Sequence, residues 1–257
     1  MILALDIGNT SISAGCFENG KIVSKFKLNS DKTKSADEYA AILSEIFRMN
    51  SIDTNNIEGA SLLSVVPTLT HTVKEALEKF SVSALVLGSG IKTGVNIRVE
   101  SPALLGSDIV AAAAAALKIK SAPIITVDYG TATTFSVINE SKQLCGCVIA
   151  PGVKLSLDSL SASCAQLCDI SLEKPEKVVG TNTSESMLSG VVWGSALMTD
   201  GFIDKIKDEY GFGDELSVIA TGGLSSLIVP LCKNKITIEK DLTLKGLYQI
   251  YIHNSKK

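Results

Sequence analysis

Two short stretches carry the residue types that could hold a phosphate chain. The first is Ile2-Leu3-Ala4-Leu5-Asp6-Ile7-Gly8-Asn9-Thr10, an apolar run ending in Asp-x-Gly-x-Thr and followed by a second alternating stretch, Ser11 to Cys16. The pattern reads as a buried strand, a tight turn and a returning strand. The glycine lets the backbone approach a bound group closely and tolerates a left-handed turn. Successive N–H groups in such a turn can hold phosphate oxygens. A carboxylate at the strand end suits a Mg²⁺ ion riding on those phosphates. Taken alone, the same residues equally describe a plain capped hairpin.

A second copy weighs against the plain hairpin. Ile124-Ile125-Thr126-Val127-Asp128-Tyr129-Gly130-Thr131-Ala132-Thr133-Thr134 again ends an apolar strand in Asp-x-Gly, then runs into the β-like Phe135-Ser136-Val137-Ile138. Asp128 stands 122 positions after Asp6, close to half of the 257 residues. A repeat at that offset predicts two duplicated α/β domains, residues 1–117 and 118–257, facing each other across a cleft. Two hairpins would then grip a polyphosphate from both sides.

The elements that must position these turns follow from patterning. Glu18-Asn19-Gly20-Lys21 is a hairpin turn leading to a third strand, Ile22 to Leu28. Ser35 and Glu38 form a capping box, with Tyr39, Leu43, Ile46 and Phe47 at helical spacing behind it. A buried strand, Ala60 to Val66, stops at Pro67 and leads to a helix over Thr70 to Phe80 and a strand at Ala84 to Leu87. His71, at that helix's start, reads as a surface or capping residue. Pro102 opens a helix that runs through the alanines to Leu117, with Asp108 in its early turns. In the second half, Pro151-Gly152 breaks into a helix over Leu155 to Leu167, and a long helix runs from Ser184 to Ile206. Ser189, Gly190, Gly194 and Ser195 along it would let another helix approach closely. Val218 to Gly223 is a strand entering a Gly-Gly helix start that can admit a base or a phosphate.

Composition narrows the class. Hydrophobic content of 46% with 20% charged residues describes a soluble globular protein. A net charge of −3 argues against a nucleic-acid surface. No apolar run reaches membrane-span length, and the chain enters its first strand without a basic leader, so a cytoplasmic location is expected. The six cysteines, Cys16, Cys145, Cys147, Cys164, Cys168 and Cys232, are expected reduced. Cys145-x-Cys147 and Cys164-x₃-Cys168 have no histidine nearby and read as apolar filler rather than a zinc site.

The ordered set Asp6-Ile-Gly-Asn-Thr10, Ser64-Val-Val-Pro67, Gly106-x-Asp108, Asp128-x-Gly-Thr-Ala-Thr-Thr134, Ile149-x-Pro-Gly152, Gly180-x-Asn-Thr183, Thr221-Gly-Gly223 and Leu242-Thr-Leu-Lys-Gly-Leu247 resembles type III pantothenate kinases over essentially the whole chain. That family belongs to the acetate and sugar kinase, Hsp70 and actin superfamily. The resemblance implies two actin-like (ribonuclease H-like) domains with a nucleotide cleft between them. It also implies a homodimer that moves the ATP γ-phosphoryl group to the hydroxyl of pantothenate, the first step toward coenzyme A, with Mg²⁺ and a monovalent cation, K⁺ or NH₄⁺. It implies ATP contacts at Asp6, Ile7, Gly8, Asn9, Thr10, Ser11, Gly130, Thr131 and Gly222. Asp6 is implied to lie near Mg²⁺, and Asp128 to bind the monovalent cation. Asp108 is the implied general base, and Val99, Gly106, Ser107, Asp108, Ile109 and Thr183 take the acceptor-side positions, Thr183 reaching the site across the dimer.

Departures cluster on the acceptor side. The family's Arg after the catalytic Asp is Ile109 here, its Tyr is Val99, an Asp is Ser136, and one Gly of a pair is Cys147. An Arg fork holds a carboxylate by two parallel bonds, which isoleucine cannot make. The alternatives are therefore a same-fold kinase with a changed small-alcohol acceptor, or a catalytically silent nucleotide-binding regulatory protein.

Overall fold

The computed structural model describes residues 1–88, 90–163 and 170–255, which divide into two compact units. Unit 1 comprises Met1–Val95, Ser101–Ala115 and Leu242–Lys257, and unit 2 comprises Asn96–Glu100 and Ala116–Asp241.

In unit 1, β1 (Ile2–Ile7), β2 (Ser11–Glu18) and β3 (Lys21–Asn29) form an antiparallel meander. It is continued by two strands parallel to β1, β4 (Gly59–Ser64) and β5 (Ala84–Val86), in the order β3-β2-β1-β4-β5. Alternation along β1 sends its side chains to two cores. Leu3, Leu5 and Ile7 pack under α1 (Ala36–Met49) and α2 (Pro67–Glu78) with Tyr39, Leu43, Phe47, Leu69 and Val73. The predicted capping box is present: Glu38 N–H donates to Ser35 Oγ at 3.3 Å, and Ser35 N–H donates back to the Glu38 carboxylate at 2.8 Å. Ile2 and Ala4 face the opposite side, against α3 (Ser107–Ile119) and the C-terminal helix, Leu242–Ser255.

In unit 2 the pattern recurs. The antiparallel strands β7 (Ile124–Tyr129), β8 (Ala132–Ile138) and β9 (Gln143–Pro151) continue into β10 (Ser217–Thr221) and β11 (Ile236–Ile238), both parallel to β7. β6 (Asn96–Ile97) adds to the edge of β9, giving the order β11-β10-β7-β8-β9-β6. Ile125, Val127 and Tyr129 pack against α4 (Val153–Ser163), α5 (Thr183–Leu188), a π-helical segment Ser189–Trp193, and α6 (Gly194–Tyr210). A short helix, α7 (Ser225–Ile228), follows β10. The duplication extends to burial: β1 and β7 each have four buried residues, then a half-buried aspartate, then one more buried residue.

Several boundaries differ from the sequence expectation. Pro102 opens only a 3-10 turn, Pro102–Leu104; the extended backbone at Leu105 ends it, and the helix starts at Ser107. The long helix after Gly180 is three helical segments in succession and ends at Tyr210. The helix expected to reach Leu167 is described to Ser163; its last residues, with Cys164 and Cys168, lie outside the described residues. Residues 96–100 sit in unit 2 because β6 pairs with β9, and Arg98 N–H donates to the Leu144 carbonyl at 2.8 Å. The helix Leu242–Ser255 sits in unit 1 because Leu244, Leu247 and Ile250 complete the core over Ala111 and Ala114.

That last packing depends on one missing side chain. A Cβ on Gly246 would overlap the backbone carbonyl of Ala111, so the two helices cross at backbone contact. A rigid backbone cannot yield as a side-chain tip can. Gly246→Ala is expected to destabilise the protein by about 3 kcal/mol in denaturant unfolding, the upper range for overpacking; a change under about 0.5 kcal/mol, the surface-substitution range, would contradict this crossing.

Candidate active site

The first Asp-x-Gly turn joins β1 to β2. Asp6 pairs with Ser13 and Ile7 with Ile12, leaving Gly8 to Ser11 as the connection. Asp6 is half-buried, and alternation puts it on the same sheet face as Ile2 and Ala4, the face covered by α3 and the C-terminal helix. Ile7 points into the other core and is fully buried, so its side chain is closed to any ligand and only its backbone borders the turn. Two carbonyls of the turn are tied down by Ser30: its Oγ donates to Gly8 O at 2.6 Å, and its N–H donates to Thr10 O at 3.0 Å. Gly8 N–H donates to Ser11 O at 3.0 Å. Asn9 and Thr10 are exposed, and among the described residues their N–H groups have no protein acceptor. The turn thus offers two donors to an anion. Ser30, which fixes it, carries no local sequence signal.

The second turn is tighter. Tyr129 pairs with Thr133, so Gly130 to Ala132 make the connection, one residue fewer than in the first copy. Two other segments converge on it. A Cβ on Gly152, just after β9, would overlap the Thr131 carbonyl and stand 2.7 Å from that of Gly130. A Cβ on Gly222, after β10, would overlap Asp128 Oδ1 and stand 2.6 Å from Tyr129 N. Gly222 also has φ of +88°, a conformation that favours glycine. Three motifs far apart in sequence therefore meet at one corner in unit 2: Asp128 to Thr131, Gly152, and Gly222. The absent side chain of Gly222 leaves the cradle in which the Asp128 carboxylate rests.

The acceptor-side candidates lie at two places in unit 1 and unit 2. In unit 1, Gly106, Ser107, Asp108 and Ile109 make the start of α3. A Cβ on Gly106 would overlap Asp108 Oδ1, so the carboxylate folds over the space that Gly106 leaves. Asp108 is half-buried and, among the described residues, makes no hydrogen bond or ion pair. A carboxylate in that condition keeps its lone pairs for an incoming hydroxyl. Ile109 is buried, 7% exposed, and offers packing but no donor. In unit 2, Val99 is half-buried beyond β6, and Thr183 is the exposed first residue of α5.

The loop before α5 is fixed by Glu185. Its carboxylate accepts from Thr181 N–H and Thr181 Oγ1, each at 2.8 Å, while Glu185 N–H donates to Asn182 Oδ1 at 2.9 Å. These donors hold the Glu185 carboxyl below its ordinary value.

Two copies of a meander continued by parallel strands, each with an Asp-x-Gly turn after its first strand, define the two-domain ribonuclease H-like fold of actin-like proteins. A solved structure of the activator of 2-hydroxyisocaproyl-CoA dehydratase from Clostridium difficile, with bound ADPNP, shares that fold at a TM-score of 0.53. It is 10% identical and covers 98% of this chain and 95% of its own. The family is closer. Residues 2–205 match the model of type III pantothenate kinase. The chain is 38% identical over 256 residues to a type III pantothenate kinase of Bacillus cytotoxicus, spanning 99% of this chain and 97% of that one. It is 35% identical over 258 residues to that of Agathobacter rectalis, spanning 100% and 99%. The chain belongs to the type III pantothenate kinase family.

The lowered Glu185 value has a signed consequence. The stability it contributes is present above its unfolded value near 4.5 and is lost as pH falls through the lower folded value. Side-chain NMR titration of Glu185 is expected to give a midpoint below 4.5, with Thr181 amide exchange accelerating on the acid side of that midpoint. A midpoint at or above 4.5 would remove the loop anchor.

Proposed function

We propose that this chain transfers the γ-phosphoryl group of ATP to the primary hydroxyl of pantothenate, the first step of coenzyme A synthesis. The observation that carries the reading is the full-length family match, joined to a half-buried Asp108 at the start of α3 that has no partner among the described residues. Phosphoryl transfer asks the protein mainly for positioning and charge neutralisation. In this reading, the N–H groups of Asn9 and Thr10, with Gly8 and Ser11 shaping their turn, hold ATP phosphate oxygens beside Asp6. Gly130 and Thr131 do the same from the second turn, and Gly222 leaves room next to the nucleotide. Asp108 accepts the proton of the attacking hydroxyl as its oxygen bonds to phosphorus and the bond to the ADP oxygen breaks.

Two ions belong to the reading. Asp6, half-buried at the strand end that leads into the Gly8 turn, is the residue assigned to Mg²⁺, and Asp128, in the cradle left by Gly222, is assigned to K⁺ or NH₄⁺. When bound, such cations neutralise phosphate charge that side chains alone would leave repelling the carboxylates.

A homodimer is part of the proposal, with Thr183 contributing to the acceptor site across it. Its support is an apolar groove of about 650 Å³ lined by Pro151, Leu160, Val191, Gly194 and Met198, with Leu155 and Leu197 exposed nearby. Among the described residues no helix is long and apolar enough to cross a membrane. We assign the protein to the cytoplasm, as a small-molecule kinase without nucleic-acid partners. With Ile109 buried, the acceptor carboxylate must be met by a group other than residue 109.

Asp108→Asn is expected to lower kcat by at least about 100-fold while binding of a non-hydrolysable ATP analogue is kept, as loss of a general base does. Gly106→Ala should fold normally yet lower kcat, because the new methyl displaces only the flexible Asp108 carboxylate. Coupled ADP release with pantothenate, ATP, Mg²⁺ and K⁺ reads both. Asp108→Asn turning over at the wild-type rate would remove the base. A wild type inert with pantothenate but active on another small alcohol would shift the acceptor.

A further inference from the structure

The second phosphate turn has a support that the first lacks. Tyr129, the last residue of β7, is 1% exposed, and its hydroxyl lies 2.8 Å from Thr199 Oγ1 on α6. The direction of that bond follows from the next one. The Thr199 hydroxyl donates its one hydrogen to the Ser195 carbonyl at 2.8 Å, so its oxygen must accept from Tyr129. The tether thus ends on the Ser195 carbonyl in the first turn of α6, and the Ser195 Oγ separately donates back to the Val191 carbonyl at 2.6 Å. The corresponding residue of the first copy is Ile7, which packs without any polar tether.

Tyr129 is thus held from two sides. Gly222, lacking a Cβ, lets the end of β10 lie close against the Tyr129 backbone, and Thr199 on α6 engages the Tyr129 hydroxyl, which also has Cys232 as a side-chain partner. Asp128 and Tyr129 are adjacent in an extended strand, so their side chains take opposite faces. Fixing the ring therefore fixes the rotation of the strand end that aims the Asp128 carboxylate and the Gly130-Thr131 turn. Burial pushes the phenol's ionisation above its already high ordinary value.

We propose that Tyr129 is a positioning residue for the nucleotide turn of unit 2, acting through Thr199 on α6 rather than by touching the ligand. The proposal rests on the reading of Gly130-Thr131 as a phosphate-holding turn. One hydrogen bond of ordinary strength sets the size of the effect. Tyr129→Phe is expected to weaken binding of a non-hydrolysable ATP analogue, measured by titration calorimetry without acceptor, by about fivefold. The KM for ATP should rise by a similar factor, while the KM for the acceptor stays within about twofold. Thr199→Ser keeps the accepting oxygen and should match wild type, whereas Thr199→Val should match Tyr129→Phe. A Tyr129→Phe protein with a lower Tm but wild-type analogue affinity and ATP KM would overturn the proposal, because the link would then be structural only. A wild type that does not bind the analogue at all would instead remove the phosphate-turn reading, and the inference with it.

Discussion

The unit 2 corner depends on backbone approaching backbone where no side chain intervenes. At Gly152 and at Gly222 a single methylene would collide with the Thr131 carbonyl or with Asp128 and Tyr129. Side chains can rotate away from a new atom, but the backbone of a short turn between two paired strands shifts only by disturbing the ladder that flanks it. The corner is therefore closely packed: the Asp128 carboxylate has a defined rest position, and the Gly130-Thr131 turn has two walls. Dense packing here positions polar groups rather than merely excluding water.

The first turn reaches a comparable result by different means. It is one residue longer and exposed at Asn9 and Thr10, and its carbonyls are fixed by Ser30 from the loop after β3. Locking the Gly8 carbonyl fixes the peptide that carries the Asn9 N–H, and the adjoining Asn9 and Thr10 N–H groups are the kind of consecutive donors an anion needs. The start of α3 follows the same economy of atoms, since the Asp108 carboxylate occupies the volume that Gly106 vacates. In each case a glycine or a serine shapes the setting and an aspartate provides the charge.

The sequence made much of this legible. The two strands ending in Asp-x-Gly, their spacing and the hairpin alternation predicted the duplicated meanders, because period-two burial is strong where one face meets a core. The capping box at Ser35 and Glu38 was equally readable, being a local interaction. What stayed hidden depends on contacts distant in sequence. Residues 96 and 97 are too few to show a strand period, and only the free edge of β9 makes β6. The C-terminal helix lies with unit 1 because Gly246 fits the Ala111 backbone, a match that neither segment reveals alone. Pro102 signalled a helix start, but the chain turns extended at Leu105 and the helix begins only at Ser107. The Tyr129 tether was invisible too, since its partner is 70 residues away.

The central claim is that the two Asp-x-Gly turns are the phosphate-holding elements of an ATP-dependent kinase. Amide hydrogen exchange, followed residue by residue with and without a non-hydrolysable ATP analogue and Mg²⁺, addresses it most directly. The account predicts slowed exchange at Asn9, Thr10, Gly130 and Thr131, with α1 unaffected. Unchanged exchange at both turns under saturating analogue would contradict it.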